Sequence, residues 1–162
     1  MADHLATIIA TGFYSGTISF FPGLWGAGLG LLLWFVCREL PLTAYLAVAA
    51  GLFVTGVWAA GEAERVYAQP DAKPIVIDET LGVFIALAGA SRTKFRWLWG
   101  FLIFLVLDVI KPFPASWLDA NLSGGLGIMM DDIAVGLYTL ALLVIITSLT
   151  TGTQGRSPDN QT

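Results

Sequence analysis

The chain has 162 residues, of which 56% are hydrophobic and only 12% are charged, and its formal net charge is −4. Soluble globular domains carry roughly 25% charged residues, so this composition excludes an ordinary water-soluble domain and indicates an integral membrane protein. The negative charge and the scarcity of Lys and Arg exclude nucleic acid as a partner, because phosphate backbones bind to basic surfaces.

Long apolar stretches predict an all-α fold, a polytopic membrane helix bundle of four to five hydrophobic segments. In chain order these segments cover residues 24–37, 42–60, 75–90, 97–110 and 128–149. The second and fifth segments approach the roughly 20 residues that cross a bilayer, whereas charged residues shorten the apolar parts of the third and fourth. Some segments are therefore expected to be short or re-entrant.

The two ends of the chain differ from these segments. Residues 12–23 are apolar but interrupted by glycine and proline, which is typical of a re-entrant or interfacial stretch. Residues 151–162 are polar and have no apolar surface to bury, so they are predicted to form a disordered tail. We therefore expect a single integral membrane domain over residues 1–150.

Small residues recur at intervals of four in two of the segments. They are Gly26 with Gly30, and Gly82 with Ala86 and Ala90. Residues with this spacing share one face of a helix, and small side chains on that face let a second helix approach closely. The pattern predicts two close helix–helix contacts.

The charges within or beside the apolar segments carry the chemical information. They are Asp78, Glu79, Asp108, Lys111, Asp131 and Asp132. A carboxylate at membrane depth costs free energy, so it indicates a functional site. If the segments cross the membrane alternately, the start of the third, the end of the fourth and the start of the fifth lie on one side. The six residues are therefore predicted to converge at one membrane face.

Five converging carboxylates would repel one another at low dielectric unless cations neutralised them. The chain has one cysteine, Cys37, and one histidine, His4, which excludes a zinc site built from sulfur and nitrogen ligands. Oxygen ligands suit Mg²⁺, which commonly binds substrate phosphate as well. The glycine-rich residues 123–127 suggest either a loop whose N–H groups approach a phosphate or a plain turn between helices.

Three blocks of sequence together resemble the phosphatidylglycerophosphatase A family. The blocks are residues 75–79 followed by Gly82, residues 107–114, and residues 124–132 followed by Gly136. Their order and spacing resemble the family over residues 73–136. The resemblance implies Mg²⁺-dependent hydrolysis of phosphatidylglycerophosphate to phosphatidylglycerol and phosphate. It also implies a bacterial inner (cytoplasmic) membrane protein with its active site on the cytoplasmic side.

The resemblance further implies roles for individual residues. Lys111 would contact the phosphate of the lipid. The carboxylates that bind Mg²⁺ and activate water would be Asp78, Glu79, Asp108, Asp131 and Asp132.

This chain departs from the family pattern at two places. Leu105 stands where the family carries an arginine, and residues 22–27 lack two hydroxyl side chains of the family's proline-glycine pattern. Leu105 precedes Asp108 by three residues, so the two are predicted to share a helix face. Lys111 is then expected to be the well-placed basic residue, because Arg92, Lys94 and Arg96 lie on the opposite side in the alternating topology.

Two other functions fit parts of the same pattern. A catalytically impaired, lipid-binding relative would keep the metal site but lack turnover, an interpretation that Leu105 motivates. A small ion-coupled membrane transporter would also use intramembrane carboxylates. The transporter interpretation predicts charges near mid-membrane, whereas these charges are predicted to gather at one face.

Overall fold

The fold was analysed in a computed structural model that describes residues 2–18, 20–90 and 95–152. The described residues form helices and turns and contain no strand, so the all-α prediction is confirmed. The α-helices are α1 Ala2–Ala10, α2 Pro22–Cys37, α3 Leu42–Tyr67, α4 Ile77–Ala86, α5 Arg96–Ile110, α6 Ala115–Asn121 and α7 Gly124–Gly152. Short 3₁₀ turns cover Ser15–Thr17 and Leu87–Gly89.

Two of the described helices, α3 and α7, are long and apolar enough to cross a membrane. Helices α5 and α6 meet at a bend of 48° and would together provide a third crossing. The other predicted segments are helical, but α2 has 16 residues and α4 only 10. Both are shorter than the roughly 20 residues of a full span. The prediction of a membrane bundle of four to five hydrophobic segments, some of them short or re-entrant, is therefore confirmed only for two to three candidate spans.

Helix α7 corrects one prediction, because it begins at Gly124 and includes the glycines that were expected to form a loop. A Cβ atom at Gly125 would collide with the backbone carbonyl of Val57 in α3. These glycines therefore allow α3 and α7 to pack backbone to backbone. The predicted polar tail begins at residue 151, yet the helix continues through Gly152, and residues 153–162 lie outside the described residues.

Helices α1 and α6 were not predicted, because each is shorter than a membrane segment. Helix α1 buries Ala6 and Ala10 against alanines of α3, among them Ala59 and Ala63. Contact between such small side chains brings the two helix backbones close together. The contact fixes the chain directly before residues 12–23, the stretch predicted to be re-entrant.

Helix α4 lies between α2 and α7, and the small residues make both contacts. A Cβ atom at Gly30 would collide with the carbonyl oxygen of Thr80 in α4. On the other side, a Cβ at Gly136 of α7 would lie 2.6 Å from the carbonyl oxygen of Gly82. The predicted close packing at Gly26, Gly30 and Gly82 is confirmed. The first turn of α4 is consequently held between two neighbouring helices.

Candidate active site

A polar cavity of about 230 Å³ opens where α4 begins and α5 ends. Its walls come from the start of α2, the turn before α4, α4 itself, the end of α5, and α7. The lining residues are Pro22, Asp71, Lys73, Ile75, Asp78, Glu79, Asp108, Lys111 and Asp132. The structure thus brings together five of the six charged residues that the sequence indicated, while Asp131 does not line the cavity.

Three of the carboxylates, Asp78, Glu79 and Asp132, form what we call the three-carboxylate group. Each places an oxygen atom within 4.8 Å of the oxygens of the other two. Asp78 and Glu79 lie in the first turn of α4, where negative charge complements the helix dipole. Asp132 reaches the same point from α7, which packs closely on α4.

One oxygen of each residue in the three-carboxylate group is buried without a hydrogen-bond partner among the described residues: Asp78 Oδ1, Glu79 Oε2 and Asp132 Oδ2. A buried, unsatisfied polar atom costs about 1–3 kcal/mol, and more when it is charged. Three neighbouring carboxylates, each with such an oxygen, fit a hard divalent cation, because oxygen ligands are those that Mg²⁺ prefers. The chemistry of the donor set therefore fits the magnesium that the family resemblance implies.

Asp108 extends this group from the last turn of α5. It lines the same cavity as Asp78, Glu79 and Asp132. Unlike Asp132, it is only partly buried. Asp108 is therefore the carboxylate of this group that is more open to water and substrate.

Lys111, Asp119 and Asp131 form a separate lysine cluster beside the cavity. Lys111 ends α5 in a left-handed conformation, and its Nζ donates to Asp131 Oδ2 at 2.5 Å and to Asp119 Oδ1 at 3.2 Å. The other oxygen of Asp131 accepts the backbone N–H of Asp132 at 3.0 Å. Asp131 is thus satisfied within the chain and does not line the cavity.

The start of α2 supports Glu79 through two glycines. A Cβ at Gly23 would lie 2.7 Å from Glu79 Oε1, and a Cβ at Gly26 would lie 2.5 Å from the carbonyl oxygen of Val76. At Gly26 the neighbouring atom belongs to the backbone, so only a residue without a side chain allows this approach, whereas the neighbour of Gly23 is the flexible end of Glu79. The proline-glycine pattern of residues 22–27 therefore positions α2 against Glu79, even though its two hydroxyl side chains are absent.

Two cavity residues, Asp71 and Lys73, were missed by the sequence analysis. Both lie in the turn between α3 and α4, directly before the first turn of α4. They were overlooked because they lie in a proline-containing turn outside the apolar segments, where a charged residue is ordinary. Asp71 has a φ of 43°, and its N–H donates to Glu64 Oε1 at 3.3 Å. Burial raises the pKa of Asp71, and the nearby charge of Lys111 opposes that rise.

Leu105 does not line the cavity. It is partly buried and packs against the hydrophobic core that contains Phe104 and Leu143. Leu105 and Asp108 lie three positions apart in α5, but Leu105 packs against helix neighbours and forms no part of the cavity wall that Asp108 contributes to. Of the predicted basic trio, Arg96 begins α5 at the end remote from Asp108, and Arg92 and Lys94 lie outside the described residues.

The fold and the cavity define a class, a helical membrane protein with a carboxylate-lined site suited to a cation. Comparison with known proteins narrows this class. The profile of the phosphatidylglycerophosphatase A family matches residues 8–147. This chain therefore belongs to the phosphatidylglycerophosphatase A family and is a phosphatase.

Three relatives are similar over most of their length. Phosphatidylglycerophosphatase A of Escherichia coli is 35% identical over 141 residues, which cover 86% of this chain and 81% of that protein. The Haemophilus influenzae protein of the same name is 33% identical, with 86% of each chain covered. A Bacteroides thetaiotaomicron protein, provisionally named a phosphatidylinositol-3-phosphatase, is 36% identical over 88% of this chain and 94% of its own. No solved structure matches the chain significantly.

Proposed function

We propose that this phosphatase hydrolyses phosphatidylglycerophosphate to phosphatidylglycerol and phosphate in phospholipid biosynthesis, and that it requires Mg²⁺. The observation that carries the metal requirement is the three-carboxylate group, whose buried oxygens have no partner among the described residues. The names of the two phosphatidylglycerophosphatase A relatives support the substrate. We place the enzyme in the bacterial inner membrane, with the cavity on the cytoplasmic side, on the basis of the family resemblance.

In this proposal Asp78, Glu79 and Asp132 hold the cation, with Asp108 completing the set from α5. A bound Mg²⁺ would polarise the phosphoryl group and lower the pKa of a bound water. A carboxylate of the cavity wall accepts the proton of the attacking water. The water oxygen bonds to phosphorus, the bond from phosphorus to the glycerol oxygen breaks, and that oxygen takes up a proton. Asp131 acts indirectly, because it is bound to Lys111 rather than to the group.

The surroundings of the cavity favour a lipid substrate over a soluble phosphomonoester. An apolar groove of about 340 Å³ begins at Leu107 and Pro112, the sequence neighbours of the cavity residues Asp108 and Lys111. It continues along α7 past Tyr138, whose hydroxyl donates to the carbonyl of Phe113 at 2.7 Å. A phosphate in the cavity would therefore leave its acyl chains beside apolar surface.

The proposal is tested by phosphate release from phosphatidylglycerophosphate in mixed micelles with purified protein. We expect turnover with Mg²⁺, loss of turnover in a chelator, and recovery when Mg²⁺ is restored. The matched control is Asp132→Asn, which keeps the shape of the side chain and removes its charge. A parent protein that releases no phosphate with Mg²⁺, or that is unaffected by the chelator, contradicts the proposal.

Phosphatidylinositol 3-phosphate is a second candidate substrate, because the Bacteroides relative carries that activity in its provisional name and matches this chain over most of its length. The same assay should include this lipid at equal surface concentration. A higher kcat/KM for phosphatidylglycerophosphate supports the first substrate. A higher kcat/KM for phosphatidylinositol 3-phosphate contradicts the first substrate and supports the inositol lipid instead. Turnover of either lipid contradicts both the impaired relative and the ion-coupled transporter.

A further inference from the structure

We propose that Lys73 binds the phosphate of the lipid substrate, and that Lys111 is a positioning residue that holds Asp131 and Asp119. The inference rests on the proposed phosphomonoesterase function and assigns the phosphate contact within that site. It differs from the family resemblance, which assigns the contact to Lys111. The reason is the distribution of charge around the cavity.

Two lysines line the cavity, and their surroundings differ. Lys111 already donates to two carboxylates, at 2.5 Å and 3.2 Å. Only 6% of the Asp131 side chain is exposed. If Lys111 moved away, a buried carboxylate would be left without a neutralising charge, which costs free energy. Lys111 is therefore retained by the chain and is poorly available to a substrate.

Lys73 is available, because it makes no ion pair within 4.0 Å with a carboxylate of the residues that the structure describes. Its side chain is exposed and lines the same cavity as Asp78 and Glu79. A phosphomonoester needs a cationic partner that no carboxylate of the protein occupies, since charge-assisted hydrogen bonds are the strong ones. Among the cavity residues, Lys73 meets that condition.

The backbone at Lys73 is fixed even though its side chain is exposed. The preceding residue, Ala72, is 1% exposed, and its carbonyl accepts the N–H of Ile75 at 2.8 Å. The N–H of Val76 donates to the carbonyl of Ala10 at 2.8 Å, which joins the turn to α1. The ammonium group therefore extends from an anchored turn, so less conformational freedom is lost when it binds phosphate.

The test compares Lys73→Ala, Lys73→Arg and Lys111→Ala in the phosphate-release assay. We expect Lys73→Ala to raise KM by about 10- to 100-fold, the loss typical of one charged hydrogen bond, with kcat changed by less than about threefold. Lys73→Arg keeps the charge and should restore KM to near the parent value. Lys111→Ala should instead lower thermal stability and kcat with a smaller change in KM. Arg65→Ala removes an exposed positive charge from the end of α3 and serves as the control.

A second measurement does not depend on turnover. Inorganic phosphate binding in the presence of Mg²⁺, followed by calorimetry, should weaken in Lys73→Ala and be kept in Lys73→Arg. Unchanged KM and unchanged phosphate binding in Lys73→Ala would overturn the proposal, as would a KM rise confined to Lys111→Ala. A parent protein without turnover contradicts the proposed function, whereas the binding measurement still decides the role of Lys73.

Discussion

Two adjacent residues, Asp131 and Asp132, belong to different electrostatic environments. Asp131 is buried but bound to Lys111 and to a backbone N–H, so its charge is balanced within the chain. Asp132 is buried beside two further carboxylates, and one of its oxygens has no partner among the residues that the structure describes. The comparison separates structural from functional charge. Asp131 is paired with a lysine of the chain, so we expect it to maintain the structure. Asp132 has no such partner among the described residues, so we expect its charge to be balanced by a bound metal ion.

The largest expected effect is the loss of activity when Asp132, the aspartate without a lysine partner, is replaced. Asp132→Asn should lower kcat/KM by about 1,000-fold, within the range for loss of a group acting in the transition state, while the variant remains folded in detergent. Asp78→Asn should behave similarly. Asp131→Asn should retain more activity than either. Phosphate release and size-exclusion elution check these outcomes, and near-parental turnover in Asp132→Asn would mean that its charge is structural.

Replacing a member of the Lys111–Asp131 pair should mainly affect the stability of the protein. Lys111→Met leaves Asp131 buried without its partner and should destabilise the protein by about 3 kcal/mol. Adding Asp131→Asn to this variant should recover part of the loss, because no unpaired charge then remains. Thermal unfolding in detergent measures both variants. If the double variant is no more stable than Lys111→Met, the ion pair is not the source of the effect.

Magnesium provides a direct comparison of the two environments. At a concentration about 100 times its Kd, Mg²⁺ should stabilise the parent by about 2.7 kcal/mol, which corresponds to a Tm rise of several degrees. Asp131→Asn should keep this shift and Asp132→Asn should lose it. The Tm with Mg²⁺ and with chelator is measured for each protein. Equal shifts in the two variants would remove the distinction between them.

A smaller effect concerns the packing that places Glu79. Gly26→Ala would put a Cβ 2.5 Å from the carbonyl oxygen of Val76, and should destabilise the protein by about 1–3 kcal/mol and lower kcat. Gly28→Ala in the same helix is the control, because no atom lies within 4 Å of its Cβ position. Thermal unfolding and phosphate release distinguish the two. A Gly26→Ala variant as stable and active as Gly28→Ala contradicts the contact.

The smallest expected effect is at Asp71. Because the folded protein raises the pKa of Asp71 above its usual 3.8, the contribution of this carboxyl to stability is greatest below that pH and is lost as the pH rises. Asp71→Asn removes this loss, and Asn also tolerates the left-handed backbone found there. In chelator, the Tm advantage of Asp71→Asn should grow from pH 4 to pH 7. An advantage independent of pH would assign the effect to the backbone alone.

The grouping of the charged residues could in part be predicted from the sequence. Carboxylates at the ends of apolar segments, together with alternation, indicated Asp78, Glu79, Asp108 and Asp132 at one face, and the structure brings them together. Lys73 was not predicted because it lies in the turn between α3 and α4. Neither the spacing of apolar residues nor burial distinguishes it there from a residue of an ordinary linker. The contact of Leu105 with the core could not be predicted, because helical spacing gives the angle between side chains and not the neighbour that each one meets.

By itself, the sequence determined that the chain is helical and membrane-bound and that its acidic residues are concentrated at segment ends. These properties follow from composition and from the free energy of placing charge in a bilayer. The tertiary structure alone decided which carboxylates remain unpaired. That outcome depends on whether a particular lysine reaches a particular oxygen, so Asp131 and Asp132 acquired different environments although they are adjacent in the chain.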